Sequence, residues 1–179
     1  MKRGPFEVLK SKEIYKNPWI KVREDKVIRP GGEEGLFGIV EGASGSSVVA
    51  LTKDDKVYLV KEYHYAQNET TYEVPSGGID KDETPLESAK RELKEETGLT
   101  ANKWTDLGYI NPLTVVLKAP NYLFLAEELE EGEILDKEKD LIEVTKISFK
   151  EALNMVLNGE ITHSASVVAI PKTARLKGL

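Results

Sequence analysis

Cysteine is absent from this chain of 179 residues, which excludes disulfides, thiolate metal sites and cysteine nucleophiles. No apolar run approaches the roughly 18 residues that a membrane-spanning helix needs. The opening MKRGPFEVLK carries positive charge, but no apolar stretch follows it. No signal peptide is therefore expected, and a cytoplasmic protein is the default. Basic charge is not in excess either, with 25 Lys and Arg against 31 Asp and Glu and a net charge of −6. That balance argues against a surface that coats nucleic acid, and leaves room for a small charged ligand held by local cations or a metal. Internal repeats and low-complexity linkers are also missing. What remains is ordinary soluble composition, 40% hydrophobic and 31% charged, in a chain long enough for one α/β domain with a sizeable core and a small appended lobe.

The first part, to about Gly45, alternates apolar and polar residues through Ile20-Lys21-Val22-Arg23, Val27-Ile28 and Leu36-Phe37-Gly38-Ile39-Val40. Short strands joined by turns, one of them at Pro30-Gly31-Gly32, are expected there. Ser46–Leu51 and Lys56–Val60 read as a hairpin around Asp54-Asp55, and Tyr72–Val74 as an extended approach to Pro75-Ser76-Gly77-Gly78. Further strands are expected at Trp104–Ile110, Asn121–Ala126 and Leu141–Ser148. A helix over Ser148–Asn158 opens on a Ser148/Glu151 capping box and stops at Gly159, and a last helix from Ser164 is expected to break or kink at Pro171. The reading divides the chain into an N-terminal β-strand region, 1–44, and an α/β domain, 45–179, layered α/β/α.

The segment Gly77 to Leu99 carries the chemistry. Gly77, Glu83, Arg91, Glu92, Leu93, Glu95, Glu96, Gly98 and Leu99 satisfy G-x5-E-x7-R-E-U-x-E-E-x-G-U, with U a bulky apolar residue. At ordinary residue usage this coincidence arises at roughly one in a billion starting points. Thr84 suits an N-cap, Pro85 the first helical position, Glu87 the reciprocal half of a capping box and Gly98 a left-handed stop. Leu86, Ala89 and Leu93 share one face and must bury. Glu92 and Glu96 are then neighbours at i, i+4, with Glu95 one turn from Glu92. Like charges at that spacing repel, and beside a buried stripe screening weakens. A divalent cation removes the conflict, and clustered carboxylate oxygens suit hard Mg2+ or Mn2+. The competing reading is a solvated acidic face with Arg91 paired to Glu95. Gly77 and Gly78 are expected to give the loop conformations closed to other residues and to bring backbone close to the metal.

This pattern is the Nudix box, and the chain resembles the Nudix hydrolases over nearly its whole length, within them the ADP-ribose and nucleotide-sugar pyrophosphatases. Glu73-Val74-Pro75-Ser76-Gly77-Gly78-Ile79 is similar to that group's E-x-P-(A/S)-G approach to the box. The resemblance implies an α/β/α sandwich with a small N-terminal β-sheet extension, which commonly mediates an intertwined homodimer. It implies metal ligation by Glu92 and Glu96, with Glu95 and the Ser76 carbonyl contributing, and support from Glu83 and Arg91. In the late acidic loop Asp136 to Asp140, Glu138 is the candidate base for water and Asp140 a candidate additional ligand, with a solvated loop as the alternative. Glu95 and Arg91 join Glu138 in the catalytic set, Arg91 by orienting a glutamate. His64 stands where many relatives carry a diphosphate-binding arginine, and His64 and Glu73 are the expected substrate-binding residues. Asn111-Pro112-Leu113-Thr114 departs from the S-P-G-like segment of the ADP-ribose group.

The implied activity is Mg2+-dependent hydrolysis, with Mn2+ as substitute, of a nucleoside diphosphate sugar. ADP-ribose giving AMP and ribose 5-phosphate is the leading case. Another sugar nucleotide such as GDP-mannose, a nucleoside triphosphate or dinucleoside polyphosphate, and a Nudix module that binds a nucleotide sugar without cleaving it are the alternatives. A homodimer with a small-molecule substrate, and neither nucleic acid nor membrane as partner, completes the expectation.

Overall fold

A computed structural model describes residues 1–132 and 142–179. In chain order the elements are β1 (Lys2–Arg3), β2 (Phe6–Lys16), β3 (Ile20–Ile28), β4 (Glu34–Gly42), β5 (Gly45–Leu51), β6 (Lys56–His64), β7 (Glu69–Glu73) and β8 (Ser76–Gly78). They continue with α1 (Pro85–Thr97), β9 (Leu99–Ile110), β10 (Leu117–Lys118), β11 (Asn121–Glu131), β12 (Ile142–Ser148), α2 (Phe149–Leu157) and α3 (Ser164–Lys177). Among the described residues no helix is long and apolar enough to cross a membrane.

Two compact units result, one of Met1–Ala43 with Asn111–Pro120, the other of Ser44–Ile110 with Asn121–Leu179. The first is a sheet in the order β1-β2-β3-β4-β10, antiparallel except for the parallel β4–β10 pair. The Asn17 side chain accepts from the backbone N–H groups of Trp19 and Ile20 and so turns β2 into β3. Gly32, at φ +86°, allows the turn into β4. Asp25 is buried in this sheet and held by Arg23 at 2.6 Å.

The second unit is an α/β/α sandwich, and strand alternation shows why. Along β5, Val48 and Ala50 point to one face, where they meet Ala89 and Leu93 of α1. Val49 and Leu51 point to the other, where Phe149 and Ala152 of α2 and Ala165, Ala169 and Ile170 of α3 cover them. β11 repeats the pattern, with Phe124 and Ala126 in the α1 layer and Leu123 and Leu125 opposite. Complete burial of Leu93 contributes about 1.5–3 kcal/mol toward holding α1 on the sheet. α1 shows the expected ends: Thr84 and Glu87 form the capping box, Pro85 is the first residue, and Gly98 closes the helix at φ 71°. Ser148 caps α2 by accepting from the Glu151 N–H. Of the break or kink expected at Pro171, the break does not occur, because α3 continues from Ser164 to Lys177 with Pro171 inside it. The roughly 3 kcal/mol cost of an interior proline is outweighed by the packing of Ala165, Ala169, Ile170 and Ala174 on both sides of it.

The sheet, ordered β12-β6-β5-β11-β9, is forked, and the fork positions the functional residues. β5 and β6 pair with each other only at Ala50–Tyr58 and Leu51–Val57. Beyond that point they part: β7 pairs with β6 from Val60–Glu73 to His64–Glu69, and β8 pairs with β5 from Ser47–Ser76 to Gly45–Gly78. The turn from Glu73 to Ser76 spans the fork. It is fixed by the Val48 N–H donating to the Pro75 carbonyl and the Val74 N–H donating to the Ser166 hydroxyl of α3.

Candidate active site

α1 lies beside the fork and presents Arg91, Glu92, Glu95 and Glu96, while the fork presents Glu73, Ser76 and Gly77. Glu96 is 6% exposed and accepts a hydrogen bond from the Ser76 N–H at 3.1 Å. Burial, then the charges of Glu92, Glu73 and Glu62, push its carboxyl up to about 9. Glu92 is also raised by burial, which the neighbouring Arg91 opposes.

Arg91 ties the segment together. Its Nε and Nη2 donate to the two Glu83 oxygens at 3.0 Å each, and Nη2 also donates to the Gly78 carbonyl at 2.8 Å. Nη1 donates to Glu92 at 2.6 Å and Glu95 at 3.1 Å. These contacts hold the guanidinium charged, Glu83 foremost, and hold Glu83 below the usual carboxylate range. Arg91 thereby fixes where two glutamates point. No such cation accompanies Glu96 among the described residues.

The conformational role expected of the two glycines is not what they supply. Neither Gly77 nor Gly78 has the positive φ that only glycine adopts readily. A Cβ on Gly77 would overlap the Glu92 carboxylate, so Gly77 provides space; a Cβ on Gly78 meets nothing within 4 Å among the described residues. The carboxylates of Glu92 and Glu96, the cradle at Gly77 and the conflict of charge at Glu96 suit a hard divalent cation.

His64 and Glu73 come together at the fork. His64 Nε2 is 3.3 Å from Glu73 Oε2, and His163 Nδ1 approaches the same oxygen at 3.3 Å from the N-terminus of α3. Burial and then Glu62 push Glu73 up to about 8, and burial and then His64 push His163 down to about 4. Sequence reasoning missed Glu62 and His163. The i, i+2 spacing of Glu62 and His64 on one strand was a usable signal, while nothing local marks His163. Glu138 and Asp140 lie outside the described residues.

The NUDIX domain family matches residues 43–166, and the nucleoside diphosphate sugar hydrolase N-terminal domain matches residues 6–40. The chain is 31% identical to ADP-ribose pyrophosphatase of Bacillus subtilis, over 95% of this chain and 93% of that protein. It is 26% identical to the methanol dehydrogenase activator of Bacillus methanolicus, over 92% and 90% respectively. A crystal structure of an ADP compounds hydrolase shares the fold with a TM-score of 0.84, at 19% identity, over 97% of this chain and 95% of that one. The chain belongs to the Nudix family and is a pyrophosphohydrolase of that family. Nudix hydrolases generally need a divalent metal.

Proposed function

We propose that this enzyme hydrolyses the diphosphate linkage of a nucleoside diphosphate sugar, with ADP-ribose as preferred substrate and AMP and ribose 5-phosphate as products. The identity to ADP-ribose pyrophosphatase of Bacillus subtilis, 31% along 95% of the chain, carries this reading. Mg2+ is the proposed cation, replaceable by Mn2+, held by Glu92 and Glu96 with help from Glu95, the Ser76 carbonyl and Asp140. Bound there, such a cation screens phosphate charge and lowers the pKa of water.

The protein's own groups do the rest. Arg91, anchored on Glu83 and the Gly78 carbonyl, holds the carboxylates of Glu92, beside Gly77, and of Glu95. Glu138 is the proposed base that takes the proton from water as it attacks phosphorus. His64 is proposed to help bind the diphosphate, with Glu73 behind it. Residues 1–44 are proposed to form a homodimer, a reading supported by the exposed Leu9, Ile14, Tyr15, Trp19 and Leu36 of that region.

The test is a panel of ADP-ribose, GDP-mannose and nucleoside triphosphates assayed with Mg2+, with products identified. ADP-ribose should show the highest kcat/KM and yield AMP. Preference for a triphosphate, or tight binding of ADP-ribose without product, would overturn the assignment.

A further inference from the structure

Glu62, His64 and Glu73 each offer one ligand atom, and those atoms lie within 4.8 Å of one another. β6 and β7 create the cluster. Glu62 and His64 share a face of β6, and the Val60–Glu73 pairing puts Glu73 on that same face. The Glu73 side chain is 3% exposed, and its Oε2 has no hydrogen-bond partner among the described residues, although two imidazole nitrogens stand 3.3 Å from it. A buried carboxylate oxygen aimed between nitrogens without hydrogen-bond geometry is costly unless something bridges the groups. His163 braces the arrangement from behind. Its Nδ1 lies 2.9 Å from the Ser166 hydroxyl, which accepts from the Val74 N–H next to Glu73. Support of this kind, from residues just outside the ligand set, is what orients metal ligands in other proteins.

We propose that Glu62, His64 and Glu73 form a second divalent-cation site, next to the Glu92–Glu96 set but separate from it, and selective for a first-row transition metal over Mg2+. The selectivity follows from the donors. Carboxylates alone suit Mg2+, whereas an imidazole nitrogen with two carboxylate oxygens suits Zn2+ and its neighbours. Zinc bonds to such donors are about 2.0–2.2 Å long, so small side-chain rotations bring the three atoms to one ion. With the site filled, His64 meets a phosphate through the cation rather than through its own N–H. The proposal concerns binding alone and stands or falls independently of the ADP-ribose assignment.

Equilibrium dialysis of the full-length protein against Zn2+ in a large excess of Mg2+, with bound metal measured by atomic absorption, tests it. The wild type should retain a Zn2+ ion per chain. His64→Ala and Glu62→Gln, both at partly exposed positions and checked for fold by circular dichroism, should lower Zn2+ affinity at least tenfold. Glu96→Gln should lower it far less than either of these. Co2+ substituted in the same excess of Mg2+ should give a visible spectrum that changes in His64→Ala. No Zn2+ retention against Mg2+, or retention lost in Glu96→Gln but kept in His64→Ala, would overturn the proposal.

Discussion

Replacing Gly77 with alanine separates the stability of the fold from the hold on the cation. The new methyl group would stand where the Glu92 carboxylate now sits, and the backbone there needs no positive φ. The strain therefore falls on the far end of a flexible side chain, which turns away. The fold loses the Arg91–Glu92 contact at 2.6 Å, while Arg91 keeps Glu83, Glu95 and the Gly78 carbonyl. A hydrogen bond between charged groups is worth about 1.5–3 kcal/mol, and Gly→Ala returns about 0.4–1 kcal/mol through the unfolded chain. The net loss is about 1–2 kcal/mol, a fall in Tm of several degrees, at about 2–4 °C per kcal/mol for a chain of this size. The effect on the cation is larger, because Glu92 is one of its two main proposed ligands. Disturbing an outer partner of a metal site already costs about 10–100-fold in affinity or activity, so displacing a ligand should cost at least 100-fold. Mn2+ titration by calorimetry and kcat/KM for ADP-ribose would measure both. Gly78→Ala is the matched control, since its methyl meets nothing within 4 Å among the described residues. Unchanged Mn2+ affinity in Gly77→Ala, or equal losses in the two variants, would refute the reasoning.

Glu92→Gln and Glu96→Gln should each cut turnover by orders of magnitude while circular dichroism shows the fold intact; near-wild-type activity in both would remove them from the metal site. Glu138→Gln should lower kcat more than it weakens substrate binding, and equal rates would exclude Glu138 as the base. In EDTA the Glu96 carboxyl sits at about 9 in the fold against an ordinary 4.5, so the folded state binds the proton more tightly than the unfolded chain. Its contribution to stability is full below the lower value and is lost as pH rises toward the higher one. Tm in EDTA should therefore fall between neutral pH and about 9, a window in which His163, held at about 4, is neutral in the fold. Glu73, pushed up to about 8, falls in the same sense, so Glu96→Gln should flatten the slope without abolishing it. Added Mg2+ should raise Tm more at the alkaline end.

How much the sequence disclosed depended on how local each signal was. The ends of α1 are written within a few residues, since Thr84, Pro85, Glu87 and Gly98 each act on the nearest turn. Its buried face follows from the spacing of Ala89 and Leu93. The layers of the sandwich were legible from the apolar runs of β5, β6 and β11. A break at Pro171 does not follow from its low propensity, because propensity is local while the packing that overrides it is not. The conformational reason expected for Gly77 fails on a related ground: the need for space is set by a side chain on another element. β10 rests on a two-residue parallel pairing with β4 that no periodicity announces. The cluster around Glu73 was the least legible. It needs the register of β6 on β7 and the N-terminus of α3, whose His163 lies far along the chain from Glu73.

The forked sheet and the helix pull in opposite directions energetically, and that tension defines the site. Parting β5 from β6 leaves edges that β7 and β8 must cover, and the connecting turn brings in a buried Glu73 and a partly buried Ser76. α1 then adds Glu92 and Glu96 from the other side. Arg91 pairs with the outer carboxylates, Glu83, Glu92 and Glu95, but reaches neither Glu96 nor Glu73 among the described residues. Among the described residues Glu96 is left with a single backbone donor, and Glu73 with an unpartnered oxygen. A chain built for stability alone would place neutral groups at both positions. Keeping two buried carboxyls whose charged forms the fold disfavours, pushed up to about 8 and 9, makes sense where a cation that arrives with or before the diphosphate completes that charge from outside.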